Sequence, residues 1–523
     1  MGKKGDFGCS HTGIRIAGSI AWFVWLMLWL IITCFGCKGA KPRDAPMEPM
    51  GKFGLPTAST APLNGIASTP KALSCAAGVT CFAVTALGKR QEDGVYTAQC
   101  GGRFPDFVDL VPADYVGDRF RLSQSFPSTP PTTGVEPWLK HDFKKPQGAS
   151  SYLQSVLDYV AEGMAEVDWR AERNTKRSWY HVPWMTAGAH PREFLRGMTE
   201  ERPVRGPELG LKRGVTIQNW AVGFYNAIGG YTIGQVWAAE APNLSKAQFP
   251  IGTVVAKILF SDVVADDFSD GVDLLAGAPA VDVNLKVRGK IEKKIQRMRL
   301  MQIDVAVRDQ RTGTTGWVFG TFAYDKDANE TDPWRRMKPV GLMWGNDPQL
   351  KEGAKPIETI VDAQAPVYAR NHLGMGGRMN GPVDNPVSSC LSCHSTAQYP
   401  NRSPMSWDSA RLGNTCDTYS ERMQWFRNLK PSEAFGEIES TTCTLMAGTS
   451  GSSQTGGTSL DYSLQLAVGV LTYNDGKYIN PCTEQIATIA EGKFPATVTD
   501  RTETFAPLPT KATVPKNRYP IER

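Results

Sequence analysis

Residues 300–324 read LMQIDVAVRDQRTGTTGWVFGTFAY, and this sequence predicts two antiparallel β-strands joined by a turn. Apolar side chains occupy every second position of the first part: Met301, Ile303, Val305 and Val307. This two-residue period is typical of a strand with one buried face. Residues 312–313 (TG) then mark a turn, and residues 317–324 (WVFGTFAY) form the returning strand.

The same two-residue period extends over about residues 214–345. Residues 253–260 (TVVAKILF) are rich in the β-branched residues that favour strands. Residues 215–220 (VTIQNW) and 231–237 (YTIGQVW) flank the glycine pair 229–230, and this arrangement predicts a β-hairpin. The central part of the chain is therefore expected to be a mainly antiparallel, β-rich domain.

A helix is predicted over residues 149–170, so the fold class is α+β. Its apolar residues recur at steps of three and four: Leu153, Val156, Leu157, Val160, Met164 and Val167. This spacing places them on one face of a helix, which can then pack against the sheet.

The pentapeptide at Cys390–His394, CLSCH, matches the C-x-x-C-H pattern of covalently attached haem c. The two thiols form thioethers with the vinyl groups of haem, and the histidine becomes the proximal iron ligand. We therefore predict one haem c, attached through Cys390 and Cys393 and ligated by His394. The alternatives are half of a zinc site, a redox-active dithiol and a chance match. The three later cysteines stand singly, whereas a zinc site needs a second pair of ligands. The surrounding sequence is a Pro-, Gly-, Asn- and Ser-rich loop, whereas a redox dithiol needs a βαβ context.

The ligand on the second axial side of the iron distinguishes electron transfer from catalysis. A methionine thioether raises the reduction potential and blocks access, whereas an open position admits a substrate. Met446 is the first candidate, and the others are Met423, Met379, Met375, Met405, His181, His190 and His372. Core packing is the structural alternative for each methionine. His181 lies in the aromatic stretch 179–184 (WYHVPW), which suits a haem edge, a distal acid/base role or an ordinary aromatic cluster.

The N-terminal region predicts export. Residues 17–36 (AGSIAWFVWLMLWLIITCFG) carry no charge and are long enough to cross a bilayer as a helix. Lys3, Lys4 and Arg15 precede this segment and favour a cytoplasmic N-terminus. A cleaved signal peptide and a lipid anchor on a cysteine are the alternatives. All three place the body outside the cytoplasm, where bacteria attach haem to C-x-x-C-H.

Cysteine usage agrees with an oxidising compartment. Outside the N-terminal segment and the CLSCH motif six cysteines remain: Cys75, Cys81, Cys100, Cys416, Cys443 and Cys482. They permit up to three disulfides, whose pairing the sequence does not rank, and free buried thiols are the alternative. The 57 basic and 52 acidic side chains are mixed along the chain, and the net charge of +5 does not suggest nucleic-acid binding.

Five segments follow from these features. Residues 1–37 are a membrane anchor or signal, 38–148 a Pro/Gly-rich tether and loop-rich layer, and 149–365 the helix and β-rich domain. Residues 366–446 are an irregular haem c-binding segment, and 447–523 are a loop and a C-terminal segment that packs back on the body.

Several short sequences resemble those of uncharacterised bacterial monohaem cytochrome c-like proteins. They are residues 179–184, 316–322 (GWVFGTF), 339–348 (PVGLMWGNDP) and 380–386 (NGPVDNP), the last leading into the attachment motif. The resemblance covers about residues 150–480. It implies haem c and a cell-envelope location, and it implies no established reaction.

Residues 249–257 (FPIGTVVAK) are similar to a strand of the hydroxylamine-oxidising cytochromes, in which a lysine is cross-linked to the haem. Those proteins are also β-rich and carry a late C-x-x-C-H motif. This weaker resemblance implies that Lys257 is the cross-linking residue and that the distal side of the haem is open to substrate.

The leading hypothesis is a membrane-anchored, periplasm-facing monohaem c-type cytochrome that transfers single electrons to a redox partner protein of the cell envelope. The first alternative is a haem c enzyme that acts on a small molecule, such as hydroxylamine or a peroxide, at an open iron site. The second is a haem-bearing scaffold or sensor, in which the metal is structural.

Overall fold

The computed structural model describes residues 96–97, 108–109, 111–112, 114–182, 192–238, 241–288, 292–409, 412, 416–439, 441–446 and 457–474. The predicted membrane span at 17–36, together with Cys75, Cys81, Cys100, Cys482 and His190, lies outside these ranges. Among the helices within them, none has the length and apolar character needed to cross a membrane.

The described chain forms short helices and many strands. The α-helices are α1 (Pro146–Ala161), α2 (Ala227–Val236), α3 (Val367–Arg370), α4 (Cys390–His394), α5 (Tyr419–Arg422) and α6 (Leu464–Asn474). The strands before the sheet centre are β1 (Tyr96–Thr97), β2 (Val108–Asp109), β3 (Trp179–Tyr180), β4 (Thr199–Glu200), β5 (Val204–Arg205), β6 (Thr216–Ile217), β7 (Asn219–Asn226) and β8 (Val254–Ser261). The later strands are β9 (Ala280–Lys286), β10 (Lys293–Arg308), β11 (Trp317–Tyr324), β12 (Met337–Met343), β13 (Thr359–Val361), β14 (Gln398–Tyr399), β15 (Glu437–Glu439), β16 (Thr444–Met446) and β17 (Thr458–Ser459).

A nine-stranded antiparallel sheet dominates the fold, in the order β13-β12-β11-β10-β8-β7-β3, with β4 also paired to β7 and β9 to β10. The long strand β10 is its centre. Its second half pairs with β8 on one edge and with β11 on the other, and its first half pairs with β9. The predicted α+β class with a large antiparallel sheet is confirmed, because the two-residue period of the sequence corresponds to these strands.

The two faces of the sheet carry separate cores. On the first face, helix α1 packs across the central strands. Its Leu153 lies over Gly320 of β11, and a Cβ atom added at Gly320 would lie 2.4 Å from the Leu153 Cδ2. On the second face, Trp317 and Phe319 of β11 pack against the segment that contains Cys390–His394 and against α6. The second face therefore positions the predicted cofactor motif.

The predicted hairpin around the glycine pair is wrong. Strand β7 is present, but the chain then turns into helix α2, whose N-terminus is capped by the Asn226 side chain accepting from the Gly229 amide at 3.1 Å. A Cβ atom on Gly229 would lie 2.7 Å from Tyr225 and Thr253 side-chain atoms, and one on Gly230 would lie 2.5 Å from Tyr180. These glycines allow close packing of a helix rather than forming a turn.

One disulfide forms in the described residues, between Cys416 and Cys443, with the Cα atoms 5.5 Å apart. It links the chain before α5 to the hairpin of β15 and β16. The apolar residues Leu460 and Leu466 pack into the core of the second face, so this part of the C-terminal segment lies against the body.

Candidate functional site

The CLSCH motif forms a single helical turn, α4, with its own N-terminal cap. The Ser389 hydroxyl accepts from the Ser392 amide at 3.0 Å, and the Ser392 hydroxyl accepts from the Ser389 amide at 2.8 Å. This reciprocal cap satisfies two amides of the first turn. Residues three apart on a helix lie on the same side, so the turn brings Cys390 and Cys393 together, and both thiols are free.

A buried polar network fixes this turn to the loop after β12. The Ser389 hydroxyl donates to Asn346 Oδ1 at 2.9 Å. The guanidinium of Arg378 donates to the carbonyl oxygens of Asn346, Met375 and Asp347 at 2.6, 2.8 and 3.0 Å, and it lies 4.3 Å from the centre of the Phe426 ring. The CLSCH turn is thus held in place by the protein chain itself.

The imidazole of His394 is oriented by one hydrogen bond. Its Nδ1 lies 2.8 Å from the carbonyl oxygen of Tyr462, and its ring centre lies 4.7 Å from that of Phe319. A carbonyl oxygen can only accept, so Nδ1 carries the proton. Burial lowers the pKa of His394 to about 4, which keeps the ring neutral at pH 7. The lone pair on Nε2 is therefore available to a metal, as in proteins that bind metal through histidine.

The two thiols and the imidazole are half-buried. All three side chains keep accessible surface, although burial is the main cause of their pKa shifts. Burial raises the pKa of Cys393 to about 12 and also raises that of Cys390, so both are neutral thiols at pH 7. Neutral, accessible thiols beside a neutral imidazole fit the donor set of haem c.

A charged cluster on the second face of the sheet lies beside these thiols. The Lys257 Nζ of β8 is 3.5 Å from an Asp304 carboxylate oxygen of β10 and 3.7 Å from a Glu201 oxygen. The carboxylate of Asp384, in the loop before the motif, raises the pKa of Lys257. The side-chain amide of Gln302 donates to both Asp304 and Asp384. Three carboxyl groups therefore surround one lysine.

Burial sets the charge state of this cluster. Burial is the main cause that raises the pKa of Asp304 to about 7. The negative charge of Asp384 also raises this pKa, and its effect is larger than the opposite effect of the Lys257 charge. Burial disfavours charge on Lys257, but the carboxylates outweigh this effect and raise its pKa. The charges of Lys257 and Asp384 also contribute to the pKa shifts of Cys390, Cys393 and His394.

The fold thus brings Lys257, singled out by the sequence, to the same region as the attachment motif. Glu201 and Asp384 carried no sequence signal, since they lie in irregular parts of the chain. Asp304 carried a weak one. It interrupts an apolar strand, LMQIDVAV, just as Lys257 interrupts TVVAKILF.

The methionine candidates occupy different environments. Met379 is fully buried against Gly341, and Met375 is also buried. Met423 accepts a hydrogen bond on its sulfur from Arg378 at 3.5 Å, and Met405 is half-buried. Met446, the first candidate, lies on β16 with 39% of its surface exposed.

The histidine candidates have other partners. His181 is buried, its Nδ1 accepts from the Ser123 amide at 2.9 Å, and its ring contacts Phe224, which belongs to the core of the first face. It is therefore not brought to the attachment motif. Both nitrogens of His372 are engaged, by the Tyr368 carbonyl and the Leu209 amide, each at 2.7 Å.

Within the described part of the chain, no group of three or more His, Cys, Asp and Glu side chains is arranged to hold a metal ion. Comparison with known proteins adds no identity, because no protein-family profile, curated protein or solved structure matches the chain. The site's geometry and the sequence motif are therefore the grounds for any function.

Proposed function

We propose that this protein is a membrane-anchored monohaem c-type cytochrome that transfers single electrons outside the cytoplasm. The observation that carries the proposal is the capped CLSCH turn, with two free thiols and a neutral His394 whose Nδ1 is occupied by the Tyr462 carbonyl. Cys390 and Cys393 would hold the haem, and His394 would ligate the iron. Bound there, the haem supplies reversible one-electron chemistry.

Aromatic side chains beside His394 support electron transfer. The Phe319 ring lies between the His394 ring, at 4.7 Å, and those of Trp317 and Tyr462, at 6.3 and 6.4 Å between centres. Trp317 lies in turn 5.8 Å from the Arg308 guanidinium, which lines an open recess together with the exposed Lys430. Closely packed rings thus extend from the proximal histidine toward the surface.

The location belongs to the same proposal. Residues 17–36 would anchor the chain in the membrane with the body in the periplasm, and a redox protein of the cell envelope would exchange electrons with it. The resemblance of short sequences within residues 150–480 to uncharacterised monohaem cytochrome c-like proteins implies the same two properties, and it stays a prediction.

Absorption spectroscopy tests the proposal. The full-length chain is produced in a bacterium with a periplasmic haem-attachment system, and oxidised and reduced spectra are recorded with and without carbon monoxide. Sharp c-type bands that do not respond to carbon monoxide are expected, since an electron carrier has both axial positions filled. A redox-silent haem would instead favour a structural or sensory role, and absence of covalent haem would contradict the proposal.

A haem c enzyme is the second candidate, and the Lys257 cluster favours it. Three carboxyl groups and an amine beside the attachment motif could exchange protons with a substrate, and Asp304, with a pKa of about 7, titrates in the range that suits general acid–base catalysis. The similarity of residues 249–257 to hydroxylamine-oxidising cytochromes would make Lys257 a cross-linking residue.

The electron carrier and the haem c enzyme predict different responses to carbon monoxide and to substitution of Lys257. An enzyme with an open iron site would bind carbon monoxide, and K257M would alter both its visible spectrum and its turnover of hydroxylamine or peroxide. The matched control is K294M, since Lys294 is a solvent-exposed lysine of β10 paired with Glu292. An unchanged spectrum in K257M, with no carbon monoxide binding, would exclude the enzyme.

A further inference from the structure

Asp461 is a carboxylate with no accessible surface, and its side chain ties one short turn to the sheet and to the loop before β8. One oxygen accepts from the backbone amide of Phe249 and the other from the indole N–H of Trp317, each at 2.7 Å. The Arg308 Nε lies 3.9 Å away and offsets part of its charge. A buried carboxylate with two donors and a cation is a rigid attachment point.

The turn that Asp461 holds has an unusual backbone. Asp461 and Tyr462 are both left-handed, with φ values of 48° and 63°, although neither is glycine. Two consecutive residues in this region persist only where the surroundings enforce them. The Asp461 side chain provides one restraint, and the Tyr462 hydroxyl, which donates to the Leu429 carbonyl at 2.8 Å, provides another.

This strained turn directs the Tyr462 carbonyl at the imidazole. That carbonyl accepts from the His394 Nδ1 at 2.8 Å, and no other hydrogen bond of the His394 ring is present among the described residues. A cavity of about 20 Å³ is lined by His394, Phe319, Trp317, Asp461 and Tyr462 among others. This space is enough for one water molecule, so the ring has little room to reorient.

We propose that Asp461 is a positioning residue for His394: it locks the turn at Asp461–Tyr462 so that the Tyr462 carbonyl keeps Nδ1 protonated and leaves Nε2 free for iron. The consequence for iron rests on the proposed function, whereas the effect on the imidazole does not. Histidine ligands whose second nitrogen donates a hydrogen bond are more basic. A more basic ligand stabilises ferric iron, so Asp461 would lower the reduction potential.

The first test needs no haem. The full-length chain is produced in mild detergent without haem attachment and with ¹⁵N-labelled histidine, and the tautomer is read from the ring nitrogen shifts. The chain has only six histidines, and H394Q assigns the signal. The wild-type protein should hold His394 in the Nδ1–H form, whereas D461A should give a mixture of tautomers. D461N, which keeps one acceptor oxygen, should give a smaller change.

A matched control separates positioning from general damage. Asp309 is also a fully buried carboxylate at the end of β10, but it holds Arg311 and Tyr152 instead. D309N should leave the His394 tautomer at its wild-type state. If D461A kept that state too, or if D309N disturbed it equally, Asp461 would not be a positioning residue.

The second test uses the haem-loaded full-length chain. D461A should raise the reduction potential and move the paramagnetically shifted ring-proton signals of His394 in the NMR spectrum of the ferric protein. Since D461A also removes a negative charge, W317F provides the charge-preserving comparison, because it removes one of the two donors that hold the carboxylate. W317F should move these signals in the same direction by a smaller amount, and it also serves if D461A fails to fold.

A potential shift in D461A with no change of the His394 signals in either variant would reduce the role of Asp461 to its charge. Absence of covalent haem in the wild type would count against the proposed function alone, since the tautomer measurement would still decide the role of Asp461.

Discussion

The Nδ1 atom of His394 lies 2.8 Å from the carbonyl oxygen of Tyr462, a residue 68 positions further along the chain. This hydrogen bond joins the CLSCH turn α4 to the turn that precedes α6, and it fixes which ring nitrogen carries the proton. A histidine in this state faces a metal with its unprotonated nitrogen. The geometry expected of a proximal ligand is therefore built by two distant parts of the chain.

Removing the thiols should remove covalent haem. C390S and C393S should each leave one thioether, and the double variant should leave haem that organic solvent extracts, because histidine ligation alone is not covalent. Haem staining of denaturing gels measures this directly. The paired C416S and C443S variants are the control, since they remove two cysteines that form a disulfide elsewhere, and they should keep covalent haem. Equal staining of the double variant and the wild type would contradict the assignment.

Stability should depend on pH through Asp304. Burial raises the pKa of Asp304 to about 7 in the folded protein, whereas the ordinary value of 3.8 applies after unfolding. Between about pH 4 and 7 the folded state therefore binds more protons, so this group's contribution to stability is present below pH 4 and is lost as the pH rises toward 7. Each such proton gives a slope of about 1.4 kcal/mol per pH unit.

The substitution D304N should flatten that dependence. Urea unfolding at several pH values measures the difference between wild type and variant, which should fall as the pH rises from about 4 to 7. D327N is the control, because Asp327 has 78% of its side chain exposed and should leave the wild-type slope unchanged. A constant difference between D304N and wild type over this range would show that Asp304 is ionised throughout.

Substitution of Arg378 should lower the stability of the fold more than most substitutions outside the apolar core. R378A would leave three carbonyl oxygens, those of Asn346, Met375 and Asp347, without this donor in a buried region. We expect a loss of about 3–5 kcal/mol in the free energy of unfolding, since each unsatisfied buried acceptor costs about 1–3 kcal/mol. Chemical denaturation measures it, with R335A as the exposed control, which should change stability by less than about 0.5 kcal/mol. Similar losses for both variants would contradict the buried network.

The packing of α1 on the sheet can be tested by a double-mutant cycle. G320A places a methyl group 2.4 Å from the Leu153 Cδ2, and this overpacking should cost about 1–3 kcal/mol. L153A should cost about 2–5 kcal/mol by leaving a cavity. In the double variant the new methyl group occupies part of that cavity. The loss of stability of the double variant should therefore be smaller than the sum of the losses of the two single variants. Additive losses would mean that the two residues are not in contact.

The sequence predicted the central sheet well because its strands alternate regularly, as in residues 300–307, and because turns with glycine separate them. It failed at α2, where residues 231–237 contain β-formers. The Asn226 cap is a local helix-start signal that the two-residue interpretation missed. The close contact of Gly229 with Thr253 is a tertiary feature, and short-range patterns do not contain it.

The candidate site was predictable only in part. The C-x-x-C-H motif is a local pattern, and Lys257 stood out through a resemblance. The role of Tyr462 depends on a backbone carbonyl, which any residue type could supply. Its φ is left-handed, and the neighbouring Asp461 contacts Phe249 and Trp317, which are distant in sequence. Such pairings appear only once the chain is folded.

Mass spectrometry of the attachment peptide is the most direct measurement. Trypsin should release residues 379–402, which contain both cysteines of CLSCH and no internal lysine or arginine. From full-length protein produced with a haem-attachment system, this peptide should carry one haem, bound through two thioethers. The same peptide found only with free thiols or with a disulfide between Cys390 and Cys393 would contradict the assignment of a c-type cytochrome.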